Sequence, residues 1–205
     1  MGVIPFLIVW PVLIAVLIPF LKSERVRGPL VYVGAGGVMV LSVVLLAQWL
    51  LSGGGVMSFY EETELIDHLM LGGELLLMAL IVYLSIVHRK YPVILLSVGQ
   101  TGLMIWAETT FPVEPASHMQ VDGLSMLMTV IAAFVGGLIC IYAVGYMKAY
   151  HHHHTEYRNR TGFFLSMLFL FLGAMFGLVL SGNLVWMYFF WEITSVISFL
   201  LIGYT

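Results

Sequence analysis

Seven long apolar stretches, separated by short polar segments, dominate the chain. They lie at about 3–21, 30–51, 71–87, 92–111, 124–147, 162–180 and 184–203. A membrane-spanning helix needs about 20 mostly apolar residues, because about 30 Å of hydrocarbon is crossed at about 1.5 Å per residue. In lipid, a helix satisfies all its backbone groups within one such segment. The pattern therefore predicts an all-α, polytopic transmembrane helix bundle with about seven spans.

Composition agrees with this pattern and excludes several function classes. Of the 205 residues, 61% are hydrophobic and 9% are charged, whereas soluble domains carry about 25% charged residues. The net charge of −3, with eight basic residues, argues against nucleic-acid binding. The one cysteine cannot hold an iron–sulfur cluster, which takes about four thiolates. We therefore expect neither a cofactor nor a metal site in this chain, and expect any redox centre on a partner.

The basic residues predict an orientation. All of them fall in alternate connecting segments, namely Lys22, Arg25, Arg27, Arg89, Lys90, Lys148, Arg158 and Arg160. The other connecting segments carry acidic residues and no lysine or arginine. The positive-inside rule then predicts a multi-pass protein of the cell membrane with its basic loops in the cytoplasm, the N-terminus outside and residue 205 inside.

Local signals predict helix ends and contacts. Gly28–Pro29 and Tyr91–Pro92 predict the starts of the second and fourth spans. Asp122 is a candidate N-cap of the fifth helix, and Glu74 is interpreted as an acidic residue at the N-terminus of the third. Small residues recur at four-residue spacing, a pattern typical of close helix packing in lipid. These are Ala132, Gly136 and Cys140, and Gly173 with Gly177.

Glu192 is the strongest candidate functional residue, because it lies near the middle of the last span. A carboxylate there costs about 2.5–3.5 kcal/mol on insertion scales. Helical spacing places Tyr188, Ser195 and Phe199 on its face, so a hydroxyl on either side could hold the carboxylate or a water chain. Burial favours a protonated carboxyl and a nearby lysine favours the ionised form, as a reversible proton carrier requires. The alternative is a permanently protonated glutamate that only donates a hydrogen bond between helices.

A weaker group of polar residues lies on the fourth span. Gln100, Thr101 and Glu108 share a face with Ser97 and Met104. This face could line a hydrated path, with Glu108 close enough to the outer end to reach water. It could equally form a polar seam against a neighbouring helix, and the residues favour the seam.

Four consecutive histidines, His151, His152, His153 and His154, follow the fifth span. A histidine-rich tract can bind metal. Consecutive residues on a helix cannot all face one ion, so the sequence favours a solvated loop.

The stretch from Val121 to Thr205 resembles a known family. It is similar to the N-terminal helices of the large antiporter-like, proton-translocating subunits of complex I (L/M/N-type), Mrp antiporters and Ech-type membrane-bound energy-converting hydrogenases. The residues that carry the resemblance are Val121–Ser125, Tyr142–Met147, Gly173–Met175, Ser181–Leu184, Phe190–Ser195 and Ser198–Tyr204. By this resemblance, Glu192 matches the family's key glutamate, which works with a lysine on a later helix.

Two departures from the family shape the domain prediction. The spans at 71–111 form an extra helix pair, so we expect four N-terminal helices over 1–111 and an antiporter-like segment over 112–205. The chain also stops at Thr205, just after the glutamate helix, and no predicted span contains a lysine. We therefore expect other membrane subunits to supply the lysine-bearing helices, unless the chain is a split or truncated product.

The resemblance implies a proton- or sodium-translocating module of a multisubunit, redox-driven complex. Ile193–Ser195, Gly203–Thr205 and the histidine-rich loop favour an Ech-type hydrogenase, with iron–sulfur clusters and a nickel–iron site on peripheral redox subunits. The alternatives are an Mrp-type cation/proton antiporter, complex I, or a structural membrane subunit that does not pump.

Overall fold

The structure is a computed structural model that describes residues 3–21, 23–59, 64–110, 118–153 and 159–204, with backbone alone at 59, 64–69, 107–108 and 153. Within these ranges the chain forms seven α-helices and two three-residue strands. The helices are α1 (Val3–Leu17, continued by a 3-10 turn, Ile18–Phe20), α2 (Glu24–Leu51), α3 (Glu64–Val87), α4 (Tyr91–Thr110), α5 (Gly123–His153), α6 (Thr161–Leu180) and α7 (Leu184–Ile202). The strands are β1 (Met57–Phe59) and β2 (Met119–Val121).

The predicted all-α, polytopic architecture is confirmed. Six of the described helices are long and apolar enough to cross a membrane, and the apolar part of α4, Tyr91–Trp106, is shorter. The protein is therefore a multi-pass membrane protein, and each of its described helices overlaps one of the seven apolar stretches.

Helix ends differ from the predicted ones where a helix continues beyond the lipid-compatible segment. The second helix begins at Glu24, so Pro29 lies inside it and does not start it. The fifth helix continues through His151, His152 and His153, which are therefore helical and not part of a solvated loop, while His154 lies outside the described residues. Hydropathy locates the apolar segment, whereas backbone hydrogen bonding continues into the polar flank.

The chain forms two compact units, residues 1–59 with 117–205 and residues 60–116. In the first unit, called the bundle, α6 packs against α1, α5 and α7, while α2 packs against α1 and α5. Buried apolar side chains form two clusters, one around Phe176 and one around Phe169, and the second includes Cys140. Both phenylalanines belong to α6, which is therefore the central helix of the bundle.

Glycines let α6 approach its neighbours closely. A Cβ on Gly173 would lie 3.2 Å from the carbonyl oxygen of Ile8 in α1. A Cβ on Gly177 would collide with the ring of Phe190 in α7, and one on Gly136 of α5 would collide with Leu172. The predicted role of these small residues in helix packing is confirmed at all three positions.

Two hydrogen bonds tie α1 to the other helices of the bundle. The buried hydroxyl of Ser166 donates to the carbonyl of Ala15. The helical partner of that carbonyl would be the N–H of residue 19, which is a proline and has none. The indole of Trp10 donates to the carbonyl of Gly34 in α2 at 3.1 Å. Both bonds lie in a region where an unsatisfied polar group is costly.

The two ends of the bundle differ in charge. At one end, β1 and β2 pair antiparallel, with Met57 opposite Val121, and Asp122 follows directly. At the other end, the Arg27 guanidinium carbon lies 3.5 Å from a Cβ built on Gly162, close to Arg160. Basic residues at the starts of α2 and α6 thus gather at one end of the bundle. Which end faces the cytoplasm stays a prediction.

The second unit is a hairpin of α3 and α4, called the hairpin below. Its turn places Arg89 in the left-handed region at φ 56°, and the N–H of Lys90 donates to the carbonyl of Ser85 at 2.8 Å. The hairpin corrects the interpretation of Glu74. Because α3 begins at Glu64, Glu74 lies nearly three turns inside the helix and is buried.

Candidate proton-translocation site

Helix α7 carries the candidate site and is fixed to the bundle along one face. Its N-cap is Asn183, whose side-chain oxygen accepts a hydrogen bond from the N–H of Val185 at 2.9 Å. The buried face consists of Trp186, Phe190, Thr194 and Ile197. Phe190 rests against Gly177 of α6, so the helix is held at about its middle.

Glu192 and Tyr188 form a direct hydrogen bond. The Tyr188 hydroxyl donates to Oε1 of Glu192 at 2.6 Å. The two residues are one helical turn apart, and both are half-buried. The structure thus brings together two of the three residues that the sequence predicts for the site.

Ser195 lies on the predicted face but bonds elsewhere. Its hydroxyl donates to the carbonyl of Trp191 at 3.0 Å, as serines inside helices commonly do. Ser195 is exposed, and Phe199, further along the same face, is 66% exposed. The carboxyl of Glu192 therefore sits at the margin between the buried and the exposed face of α7.

This margin determines what the site can contact. Trp191 and Phe199 are exposed, and few residues of the apolar part of α7 are buried inside the structure. A half-buried carboxyl between the buried and the exposed face of α7 can bind a proton and exchange it with a group on a helix that packs against the exposed face. The arrangement therefore suits a site shared between this bundle and a partner helix.

The α4 candidates lie in the hairpin. Thr101 is buried, whereas Gln100 is exposed at the residue level. The side chain of Glu108 lies outside the described residues. Ser97, Thr101 and Met104 are less exposed than their neighbours on α4 and lie on the face that packs against α3. This placement favours the polar-seam interpretation over a hydrated path.

A histidine at the acidic end of the bundle was missed by sequence reasoning. His118 is 7% exposed, its ring centroid lies 5.0 Å from that of Trp186, and its carbonyl accepts a hydrogen bond from the N–H of Gly182 at 3.0 Å. It precedes a three-residue strand and lies outside the apolar spans, so no periodic signal marks it. His118 helps to anchor the first turn of α7.

Asp122 and Ser125 close the start of α5 with reciprocal hydrogen bonds. The N–H of Ser125 donates to Oδ1 of Asp122, and the N–H of Asp122 donates to the Ser125 hydroxyl, both at 2.7 Å. The bond from the Ser125 N–H lowers the pKa of Asp122 below its ordinary value. The predicted N-cap is therefore confirmed. It borders a cavity of about 280 Å³ lined also by Gln120 and Ser181.

Within the described ranges, no three His, Cys, Asp or Glu side chains come close enough together to hold a metal ion. Of the histidine tract, the ring of His151 lies 3.0 Å from the Tyr204 hydroxyl. This contact joins the C-terminal ends of α5 and α7.

Part of the chain is similar to known proteins. Residues 109–159 match the family described as the N-terminus of chain 5 of NADH-ubiquinone oxidoreductase (complex I). This segment contains Asp122 and all of α5.

Two curated relatives extend the likeness. The Na(+)/H(+) antiporter subunit A1 of Staphylococcus haemolyticus is 41% identical over 86 residues, and that of Staphylococcus aureus (strain JH9) is 38% identical over 86. The alignments cover 42% of this chain and 10% of each relative, so the chain spans a small part of their length. The family match ends at residue 159, before α7 begins at Leu184, so it does not include Glu192.

Proposed function

We propose that this chain is part of a proton-translocating membrane subunit in a multisubunit antiporter-like complex, with Glu192 as the proton-binding group. The observation that carries the proposal is the 2.6 Å hydrogen bond from Tyr188 to Glu192 in an apolar helix long enough to cross a membrane. An ionisable group at that depth is costly and is by default a candidate for function.

The proposed chemistry is reversible protonation. Glu192 accepts a proton to form a neutral carboxyl and releases it to form a carboxylate. The Tyr188 hydroxyl stabilises the ionised form by donating to it. A lysine that approaches from the open side of α7 would favour proton release, because an opposite charge favours the carboxylate. Tyr188 and Glu192 would act together, with Ser195 beside them on the open face.

The lysine belongs to a partner in this proposal. Among the described residues of the bundle, Arg25, Arg27 and Arg160 lie at helix starts and Lys148 lies near the end of α5, whereas Glu192 lies near the middle of α7. The lysine-bearing helix would therefore come from sequence other than these 205 residues. By the positive-inside rule, the basic end of the bundle would face the cytoplasm.

The type of complex is a separate part of the proposal. The Staphylococcus relatives are named as Na(+)/H(+) antiporter subunits, which favours an Mrp-type cation/proton antiporter. An Ech-type hydrogenase remains the second candidate because of the Ile193–Ser195 motif, and it would add redox subunits with iron–sulfur and nickel–iron centres. Purifying the complex, identifying its chains and measuring iron and nickel would distinguish them.

Replacement of Glu192 tests the proton role. In everted membrane vesicles that contain the complete complex, we expect Glu192→Gln to slow coupled proton transport about a hundredfold, the lower end of what a positioned proton-transfer group contributes. Ser198→Ala is the matched control, since its hydroxyl donates to the Thr194 carbonyl on the same helix, and should transport at the wild-type rate. Wild-type transport by Glu192→Gln would instead indicate a structural subunit.

A further inference from the structure

The hairpin exposes apolar side chains and buries polar ones, which is the reverse of a helix pair in a soluble protein. Large apolar side chains are exposed along both helices, including Leu76 of α3 and Leu95, Leu96 and Leu103 of α4. Its buried residues include Glu74, Ser85 and Thr101. Lipid solvates apolar side chains, so a membrane hairpin can keep its polar groups at the helix–helix contact.

Glu74 is the unusual member of this buried set. It is 4% exposed and lies within Met70–Val87, the part of α3 that is long and apolar enough to cross a membrane. By helical spacing, Met70, Glu74 and Ser85 share one face. The antiporter-like family match begins at residue 109, so this carboxyl lies outside the matched segment.

Neither α3 nor α4 contains a lysine or an arginine. The side chains of Asp67 and Glu108 lie outside the described residues, and burial in itself disfavours the charged form of a carboxyl. The titratable Tyr83 and Tyr91 are exposed. Glu64 and His68 are the remaining titratable residues within α3, and their side chains also lie outside the described residues.

Hydroxyl groups on α4 can serve both protonation states. Thr101 is 8% exposed. Ser97 lies one turn before Thr101 and is half-buried, whereas its neighbours Leu96 and Val98 are exposed. Counting from the turn at about 1.5 Å per residue, Glu74 and Thr101 lie within about one helical turn of each other along the hairpin. A hydroxyl can donate to a carboxylate and accept from a carboxylic acid, so this seam tolerates both forms of Glu74.

We propose that Glu74 is a second proton-binding site within the membrane, carried by the α3–α4 hairpin. A proton from water binds a carboxylate oxygen of Glu74 to give the neutral acid, and the same proton returns to water on release. The site is chemically separate from Glu192 and does not depend on the role of that residue.

Carbodiimide labelling of the wild-type complex tests the proposal. Dicyclohexylcarbodiimide enters lipid and modifies protonated carboxyls, and mass spectrometry locates the adduct. Between about pH 5 and about pH 9, we expect labelling of Glu74 to fall as pH rises, about tenfold per unit above its midpoint, since buried glutamates can titrate in this range. Glu24, exposed at the start of α2, is the control carboxyl and should stay unlabelled.

Three outcomes of this experiment would overturn the proposal. Labelling that does not change with pH would indicate a permanently protonated, structural acid. No labelling at any pH would exclude a protonated Glu74. Protection by sodium at constant pH would make the ligand a metal cation and not a proton.

A proton count gives an independent measurement. After a pH jump, vesicles with the wild-type complex should bind about one proton per chain more than vesicles with Glu74→Gln, because the amide keeps hydrogen bonding but does not titrate. The same deficit should appear when Glu74→Gln is added to a Glu192→Gln background. Equal proton binding by wild type and Glu74→Gln would overturn the proposal whatever the effect of Glu192.

Discussion

The bundle and the hairpin differ in where they hold a carboxyl within the membrane-spanning region. In the bundle, phenylalanines such as Phe169 and Phe176 fill the interior, and Glu192 lies at the margin of one helix. In the hairpin, the leucines are exposed and Glu74 is buried. Five helices can form an apolar core that leaves no space for a charge, whereas two helices share a single contact. Glu192, at the edge of the exposed face of α7, can contact a partner helix. Glu74, inside the hairpin, can contact only side chains of α3 and α4.

A large side chain at a glycine of α6 tests whether tight helix packing is confined to the bundle. Gly173→Leu should lower the free energy of unfolding by at least about 3 kcal/mol, because the new side chain would meet the Ile8 carbonyl and overpacking of a core costs about 1–3 kcal/mol or more. Thermal unfolding of the solubilised protein would measure this loss.

Gly99→Leu in the hairpin is the matched control. A Cβ on Gly99 would have no atom within 4 Å, so this variant should unfold within about 0.5 kcal/mol of wild type, as for a surface position. Equal destabilisation by the two substitutions would remove the distinction between the units.

A smaller effect tests the polar groups inside the bundle. Ser166→Ala should cost about 1–3 kcal/mol, because it leaves the Ala15 carbonyl buried without its donor. Ser42→Ala is the comparison, since the hydroxyl of Ser42 donates to Met39 within its own helix at 2.8 Å, and should cost less. A larger loss in Ser42→Ala would contradict the role assigned to Ser166.

The smallest effect concerns the end of the bundle and depends on pH. The lowered pKa of Asp122 means that its carboxylate stabilises the folded state above about pH 4, the unfolded value. This stabilisation should disappear as pH falls through the lower folded value. Asp122→Asn keeps an N-cap acceptor but does not titrate, so its difference from wild type should shrink in acid. A pH-independent difference would refute this.

Local features of the sequence predict more of the structure than distant ones. The Tyr188–Glu192 contact follows from four-residue spacing in one helix. The role of Asp122 as N-cap of α5 follows from its position directly before the apolar stretch. The burial of Glu74 does not follow, because it depends on how α4 packs against α3. The pairing of Met57 with Val121 is equally hidden, since 63 residues separate the two.

The central claim is that the Glu192 carboxyl changes protonation during transport. Infrared difference spectroscopy of the complete complex, recorded while transport is driven, measures this directly. We expect a protonated-carboxyl band that appears and disappears as transport is switched on and off, is absent in Glu192→Gln and persists in Ser198→Ala. Transport at the wild-type rate without any change in a Glu192 carboxyl band would contradict it.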